Sequence, residues 1–363
     1  MTIPPQHIGI AGAGLLGRLA AWTLARHGHH VTVFDPAEGP QPAFDGQGPA
    51  GFTAAGMLSP LAELDAADLD VAERGWYAID RWDAITRQLG ELCGQRPWFN
   101  RQGSLMVAHA PDLGAARRVL ARIETGSVQW PHQVQPLDAA ARQALEPSLH
   151  SASGTLHAWL LPGEGSICTV SALEALQATA PGVQWRWGES VVETGAGCLR
   201  TADQTHRFDS VVDTRGLGAR PQLPVRGVRG EVVWLHAPGV ALQRPIRLLH
   251  PRYRVYIVPR PGDVVLIGAS EIESEDRSPM SLRTAVELMA AAHSVVPGLA
   301  EARIIRLDTN LRPALPDNRP EIHVEPGLIR LNGLYRHGWL LAPSVLDEAL
   351  ARTDLLGREG PHT

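Results

Sequence analysis

Unbroken apolar runs open the chain, and apolar positions spaced for helices or alternating strands follow them. His7–Ala11 reads as a buried strand, Leu15–His27 as a helix and His30–Asp35 (HVTVFD) as a second strand after a turn at Gly28. A Pro- and Gly-rich loop spans Pro36–Gly51, and AAGML (Ala54–Leu58) leads into a helical pattern running from about Leu61 to Leu92. Gly103–Ala108 is strand-like, and Pro111–Ile123, Asp138–Leu145 and Ser171–Ala180 have helical spacing. Short strands meander from Val183 to Val212, with turns at Gly195 and Gly197. Val228–Leu235 is a strand, and Tyr253–Pro259 and Val264–Ala269 form a hairpin across RPGD. Leu282–Val295 is an amphipathic helix, Ile304–Leu311 and Leu328–Asn332 are strands, and LLAPSVLDEALARTDLL closes the pattern as a helix. This order predicts an α/β protein in which a nucleotide-binding domain is interrupted by a second, mainly antiparallel domain.

Composition narrows the chemistry. The 363 residues suffice for two domains, and a net charge of −5 points away from nucleic acid and anionic membrane as partners. Three cysteines (Cys93, Cys168, Cys198) without metal-like spacing suit a reduced compartment, and the histidines show no ligand spacing, so no metal is expected. All 33 basic residues are arginine, which excludes lysine Schiff-base chemistry and a P-loop with its phosphate-binding lysine. Ile8–Ala25 lacks a basic leader and is interrupted by Arg18, so it is read as core and not as a signal peptide. No segment is apolar enough to span a membrane, and a cytoplasmic location is expected. A homo-oligomer stays open.

Five stretches carry candidate function. In Gly12-x-Gly14-x-x-Gly17, Gly12 permits the strand-to-helix turn, Gly14 admits a pyrophosphate and Gly17 lets the helix pack on the strand. The helix N-terminus at Leu15 and Leu16, reached through Ala13, offers free N–H groups to phosphate. Asp35 ends the second strand, where a carboxylate binds ribose hydroxyls and disfavours a 2′-phosphate, leaving FAD or NAD. GLYRHGWLLAP (Gly333–Pro343) is either a second helix start aimed at a flavin's pyrimidine edge or an ordinary helix start with an aromatic staple. Arg312, in NLRPALPDNRP, stands in a turn after a strand; it can clamp a carboxylate bidentately or be a surface loop arginine. Tyr256 begins an apolar strand and fits a core aromatic as well as a site residue. Glu271 directly follows a strand, whereas the rest of SEIESED reads as a solvated loop.

With these residues in view the chain resembles the flavin-dependent D-amino-acid oxidase family, nearest the glycine oxidases of thiamine biosynthesis. The stretches GIAGAGLLGRLAAWTLARHGHHVTVFD, AAGMLSPLAEL, RVYIVPRPGDVVLIGAS and NLRPALPDNRP…NGLYRHGWLLAP carry the likeness over nearly the whole chain. The resemblance implies a Rossmann-like FAD-binding domain (1–90, 150–222 and 320–363) interrupted by an α+β substrate domain (91–149 and 223–319) with a mainly antiparallel sheet. It implies non-covalent FAD, its ADP half on Gly12, Gly14, Gly17 and Asp35 and its ring lined by Ala55, Gly56 and Met57. Backbone near Val191 would meet the adenine side, and Gly333, Arg336, His337, Gly338 and Trp339 would surround the pyrimidine edge. Arg312 would pair with the substrate carboxylate, and Tyr256 would hydrogen-bond it or close the pocket; Arg336, Glu271 and Met57 complete the candidate set. The implied reaction is oxidation of glycine or a small D-amino acid by hydride transfer to flavin N5, with O2 as acceptor giving H2O2. The alternative is a dehydrogenase that passes electrons to another acceptor.

The chain also departs from the family. GHYRNG or GHFRNG is usual where this sequence has Leu334 and His337, and VDTRGLGAR replaces the usual AAGAW segment. Glu271 stands where glycine oxidases can carry an apolar residue, so a substrate amine can be held there by charge. Sarcosine oxidases place a lysine over the flavin and attach it through a C-terminal cysteine; with no lysine and no cysteine after Cys198, covalent flavin of that type is disfavoured.

Overall fold

Strands that are apolar on both faces need cover on both sides, and that requirement organises the first half of the fold. The structure, a computed structural model, describes residues 4–151, 154–250 and 254–356. His7–Ala11, with Ile8 and Ile10 fully buried, pairs in parallel with His30–Asp35 on one side and Ser210–Asp213 on the other. The sheet continues through Gln184–Trp187 at one edge and through Leu328–Asn332 and Glu321–Glu325 at the other; only the last strand is antiparallel. The first piece of the expected meander therefore belongs to this parallel sheet, and only Val191–Arg207 forms a separate three-stranded one.

The helices Leu15–Arg26 and Gly338–Ala351 share one apolar cluster with the long helix Leu69–Cys93. Trp82, fully buried, donates its indole N–H to the Trp339 carbonyl at 2.7 Å and ties the long helix to the last one. The expected Leu61–Leu92 helix is in fact two, Pro60–Glu63 and Leu69–Cys93. Asp68 breaks it with extended backbone (φ −68°, ψ 159°), a position at a helix start that suits an acid. The break lets Glu63 face the main cavity.

An eight-stranded sheet forms the second layer, in the order 303–314, 226–236, 264–268, 254–260, 246–249, 104–109, 156–161, 135–137. All its pairings are antiparallel except that between Ile246–Leu249 and Ser104–His109. Arg312 lies inside the strand Arg303–Ala314, opposite Val228, and not in a turn after it. Pro313 suggested a turn, but this strand is the sheet's edge, where a missing N–H costs no inner ladder bond. Tyr253 lies outside the described residues; its strand begins at Arg254. Among the described residues no helix is long and apolar enough to cross a membrane.

Candidate active site

A cavity of about 1370 Å³ is lined by residues of both sheets and is larger than an ordinary small-ligand pocket. At one end lies the glycine turn. Gly12 has φ +97°, and a Cβ there would stand 2.8 Å from the Thr214 carbonyl oxygen; a Cβ on Gly17 would come within 1.8 Å of the Gly12 oxygen. Both glycines are demanded by the protein itself. Gly14 is different: its φ of −75° suits any residue, and the nearest atom to an added Cβ is Pro49 Cβ at 3.6 Å. The space that Gly14 leaves belongs to the cavity, which is how a cradle for a pyrophosphate should look. Ala13 and Gly17 are buried behind the turn and do not line it.

Asp35 lines the cavity, and its carboxylate accepts the Ala13 N–H at 2.6 Å and the Ala37 N–H at 2.9 Å, bracing the turn from the second strand. Thr214 closes the turn from the other side, its hydroxyl 3.0 Å from the Ala11 and Gly12 carbonyl oxygens. The unusual VDTRGLGAR segment thus packs on the glycine motif. Its Arg215 pairs with Asp213 at 2.7 Å and donates to the Val191 carbonyl at 3.1 Å, so that Val191 lines the cavity with its oxygen already engaged.

The helices beginning at Leu15 and Gly338 both open onto this space. Neither has a side-chain cap or an acid in its first turn. A Cβ on Gly338 would lie 3.9 Å from Leu15 Cδ2, so the two positive helix ends are neighbours. Leu16, Ala55, Gly56, Met57, Gly333 and Trp339 line the walls near them. Gly333 (φ +71°) and Gly56 (φ +62°) take backbone conformations that other residues rarely adopt.

Another wall of the cavity is built on one face of the eight-stranded sheet. The Arg312 guanidinium lies flat on Gly230, where an added Cβ would meet it at 2.6 Å. Its Nη1 donates to the Arg229 carbonyl at 3.2 Å and its Nη2 to the Ser270 carbonyl at 3.1 Å, which aims the remaining donors at the cavity. Tyr256 packs on Gly268 in the same way. Burial raises the Tyr256 hydroxyl above its ordinary pKa while Arg312, Arg247 and Arg260 oppose the rise, so the phenol stays protonated.

A charge network joins residues from four distant parts of the chain. Glu63 accepts from Arg247 Nη2 at 2.9 Å and from Arg336 Nη2 at 3.1 Å, and His337 Nδ1 lies 3.5 Å away. Burial would raise the Glu63 pKa, but Arg247, His337 and Arg336 outweigh it and hold it at about 2. Burial lowers the His337 pKa. Arg336 Nε donates to His337 Nε2 at 3.4 Å, which places the neutral ring's proton on Nδ1, toward Glu63. Glu271 accepts from the Tyr335 hydroxyl at 2.6 Å and lies 3.7 Å from Arg336. Arg336 and Glu271 are therefore committed to this network.

A pH dependence follows. Because the Glu63 pKa is depressed in the fold, its contribution is complete above the unfolded value of 4.5 and fades as pH falls toward about 2. Glu63→Gln should cost on the order of 3 kcal/mol at neutral pH, because holding a carboxyl that far below its ordinary pKa takes a favourable interaction of that size. Urea unfolding of both proteins should show that gap closing between about pH 4.5 and pH 2; a gap constant over that range would mean that Glu63 is not ionised there.

Comparison with known proteins places this architecture. The family described as FAD dependent oxidoreductase (DAO) matches residues 7–347. A relative from Rhizobium etli, assigned by name to thiamine biosynthesis as oxidoreductase ThiO, is 37% identical over 97% of both chains. The glycine oxidase of Geobacillus kaustophilus is 27% identical over 93% of this chain and 89% of its own. A crystal structure of glycine oxidase from that organism superposes with a TM-score of 0.80, at 26% identity, covering 98% of this chain and 95% of the other.

Proposed function

The chain belongs to the FAD dependent oxidoreductase (DAO) family, and on that premise we propose that it oxidises glycine or a small D-amino acid at Cα and hands the electrons to O2. The single observation behind this substrate class is Arg312, pinned on Gly230 with Tyr256 acting on it, both lining the cavity. The six-stranded sheet side would hold FAD, and the eight-stranded sheet would hold the substrate.

Bound FAD supplies the two-electron acceptor for the Cα–H bond. The cavity-lining residues that would hold it are Gly12, Gly14, Leu15, Leu16 and Asp35 at the ADP half and Ala55, Gly56, Met57, Gly333, His337, Gly338 and Trp339 at the ring. Two of the Arg312 N–H groups are spent on the Arg229 and Ser270 carbonyls and the guanidinium also engages the Tyr256 phenol, which leaves the rest of its planar fork for a carboxylate. That anchoring fixes Cα before reaction, which is the protein's main task when no proton is taken from carbon. Tyr256, protonated and buried, donates a hydrogen bond to the same carboxylate. The imine then leaves and hydrolyses, and O2 returns as H2O2. The Rhizobium etli relative supports thiamine biosynthesis as the setting.

The absence of lysine favours a second reading, a dehydrogenase with another acceptor. Anaerobic mixing with glycine, sarcosine, D-alanine and D-proline should bleach the flavin absorbance, and admitting air should restore it within a turnover. No bleaching by any of the four overturns the amino acid assignment; bleaching followed by slow reoxidation replaces the oxidase with the dehydrogenase.

A further inference from the structure

Arg260 is a buried cation without a counter-ion. It ends the strand Arg254–Arg260, four residues beyond Tyr256 on the same strand face. It is 7% exposed, and its Nε has no hydrogen-bond partner. Its Nη2 donates to the Ala55 carbonyl, and its guanidinium lies 5.9 Å from the Trp98 ring centre. The acidic groups acting on it are the Cys168 thiol and the Tyr256 phenol, whose pKa burial raises further. Among the described residues no carboxylate pairs with it.

A guanidinium kept dry and unpaired is costly, and its field is weakly screened. The wall it holds is the one assigned to the flavin ring: Ala55 and Met57 line the cavity and pack with Val258 and Tyr256 of the same strand. We propose that Arg260 sets the reduction potential of the bound FAD. Oxidised FAD takes up two electrons and one proton to become the FADH− anion, so reduction adds negative charge beside an uncompensated positive one. The amine gives up two electrons and two protons on becoming the imine, and a higher flavin potential moves that exchange toward imine. In a chain without lysine, Arg260 is a positioning residue that acts through charge and does not touch the cofactor.

The test equilibrates holoenzyme with a reference dye and reads the ratio of reduced to oxidised flavin at the wild-type midpoint potential. Arg260→Gln keeps a donor for Ala55 but removes the charge, and it should lower that ratio by at least about tenfold; Arg260→Lys should stay within about threefold. Cys168 gives a second route that leaves Arg260 in place. It is the N-cap of the helix Thr169–Ala178, with extended backbone and no side-chain cap bond, so aspartate and asparagine both suit the position. Cys168→Asp should lower the ratio as Arg260→Gln does, and Cys168→Asn should not. If Arg260→Gln loses its flavin, the Cys168 pair decides alone. Ratios within about threefold of wild type in Cys168→Asp overturn the proposal; so does an Arg260→Lys enzyme that falls as far as Arg260→Gln.

Discussion

Replacing Arg312 with alanine should lower kcat/KM for glycine by roughly 30- to 1000-fold, the equivalent of about 2–4 kcal/mol for a lost charge-assisted pair. The size follows from how little freedom the guanidinium has. Two carbonyls and the face of Gly230 hold it, so little ordering cost offsets carboxylate binding in the wild type. Flavin content should not change, because Arg312 and the two carbonyls that hold it are not among the residues assigned to FAD. Lysine at 312 should restore only part of the loss, since an ammonium cannot form the paired planar contact. Steady-state kinetics with flavin absorbance recorded on the same preparations check both halves, and wild-type kcat/KM in Arg312→Ala would leave this arginine as an edge-strand residue only.

Gly14→Val should yield a folded, colourless protein, with FAD affinity reduced by at least about 1000-fold, or about 4 kcal/mol. The protein itself accepts a side chain at this position: φ is −75° and no protein atom lies closer than 3.6 Å to the added Cβ. What the branched side chain fills is the cavity beside two uncapped helix starts. Gly17→Val makes the contrast, because its Cβ collides with the Gly12 oxygen and the strand–turn–helix unit cannot close. Visible absorbance and thermal melts of the apoproteins separate the two. Position 14 should lose flavin and keep its melt, and position 17 should lose both; flavin retained in Gly14→Val would remove the pyrophosphate from this turn.

Local patterns were readable because local physics decides them. The first strand–helix–strand unit, Gly12, Gly14, Gly17 and the strand Leu328–Asn332 need only neighbouring residues for their recognition. Arg312 was visible as a candidate and its strand was read as far as Leu311, but the continuation through Arg312 was not: Pro313 breaks an inner strand and is harmless on an edge, and position in a sheet is not a local property. Glu63, Arg247 and Gly230 were invisible for a related reason. Glu63 sits in the AAGMLSPLAEL stretch without any sign of its role there, it meets Arg247 across 184 residues of chain, and Gly230 matters only because Arg312 lies on it. The split of the Leu61–Leu92 helix belongs with them, since helical spacing continues through the break that turns Glu63 inward.

The meeting of the Leu15 and Gly338 helix ends bears on biogenesis. More than 300 residues separate them, so a ribosome must deliver both ends and everything between them before a complete FAD pocket exists. Nascent chains halted earlier carry the glycine turn without its opposite wall. Cofactor uptake thereby becomes a late event that distinguishes finished molecules from fragments.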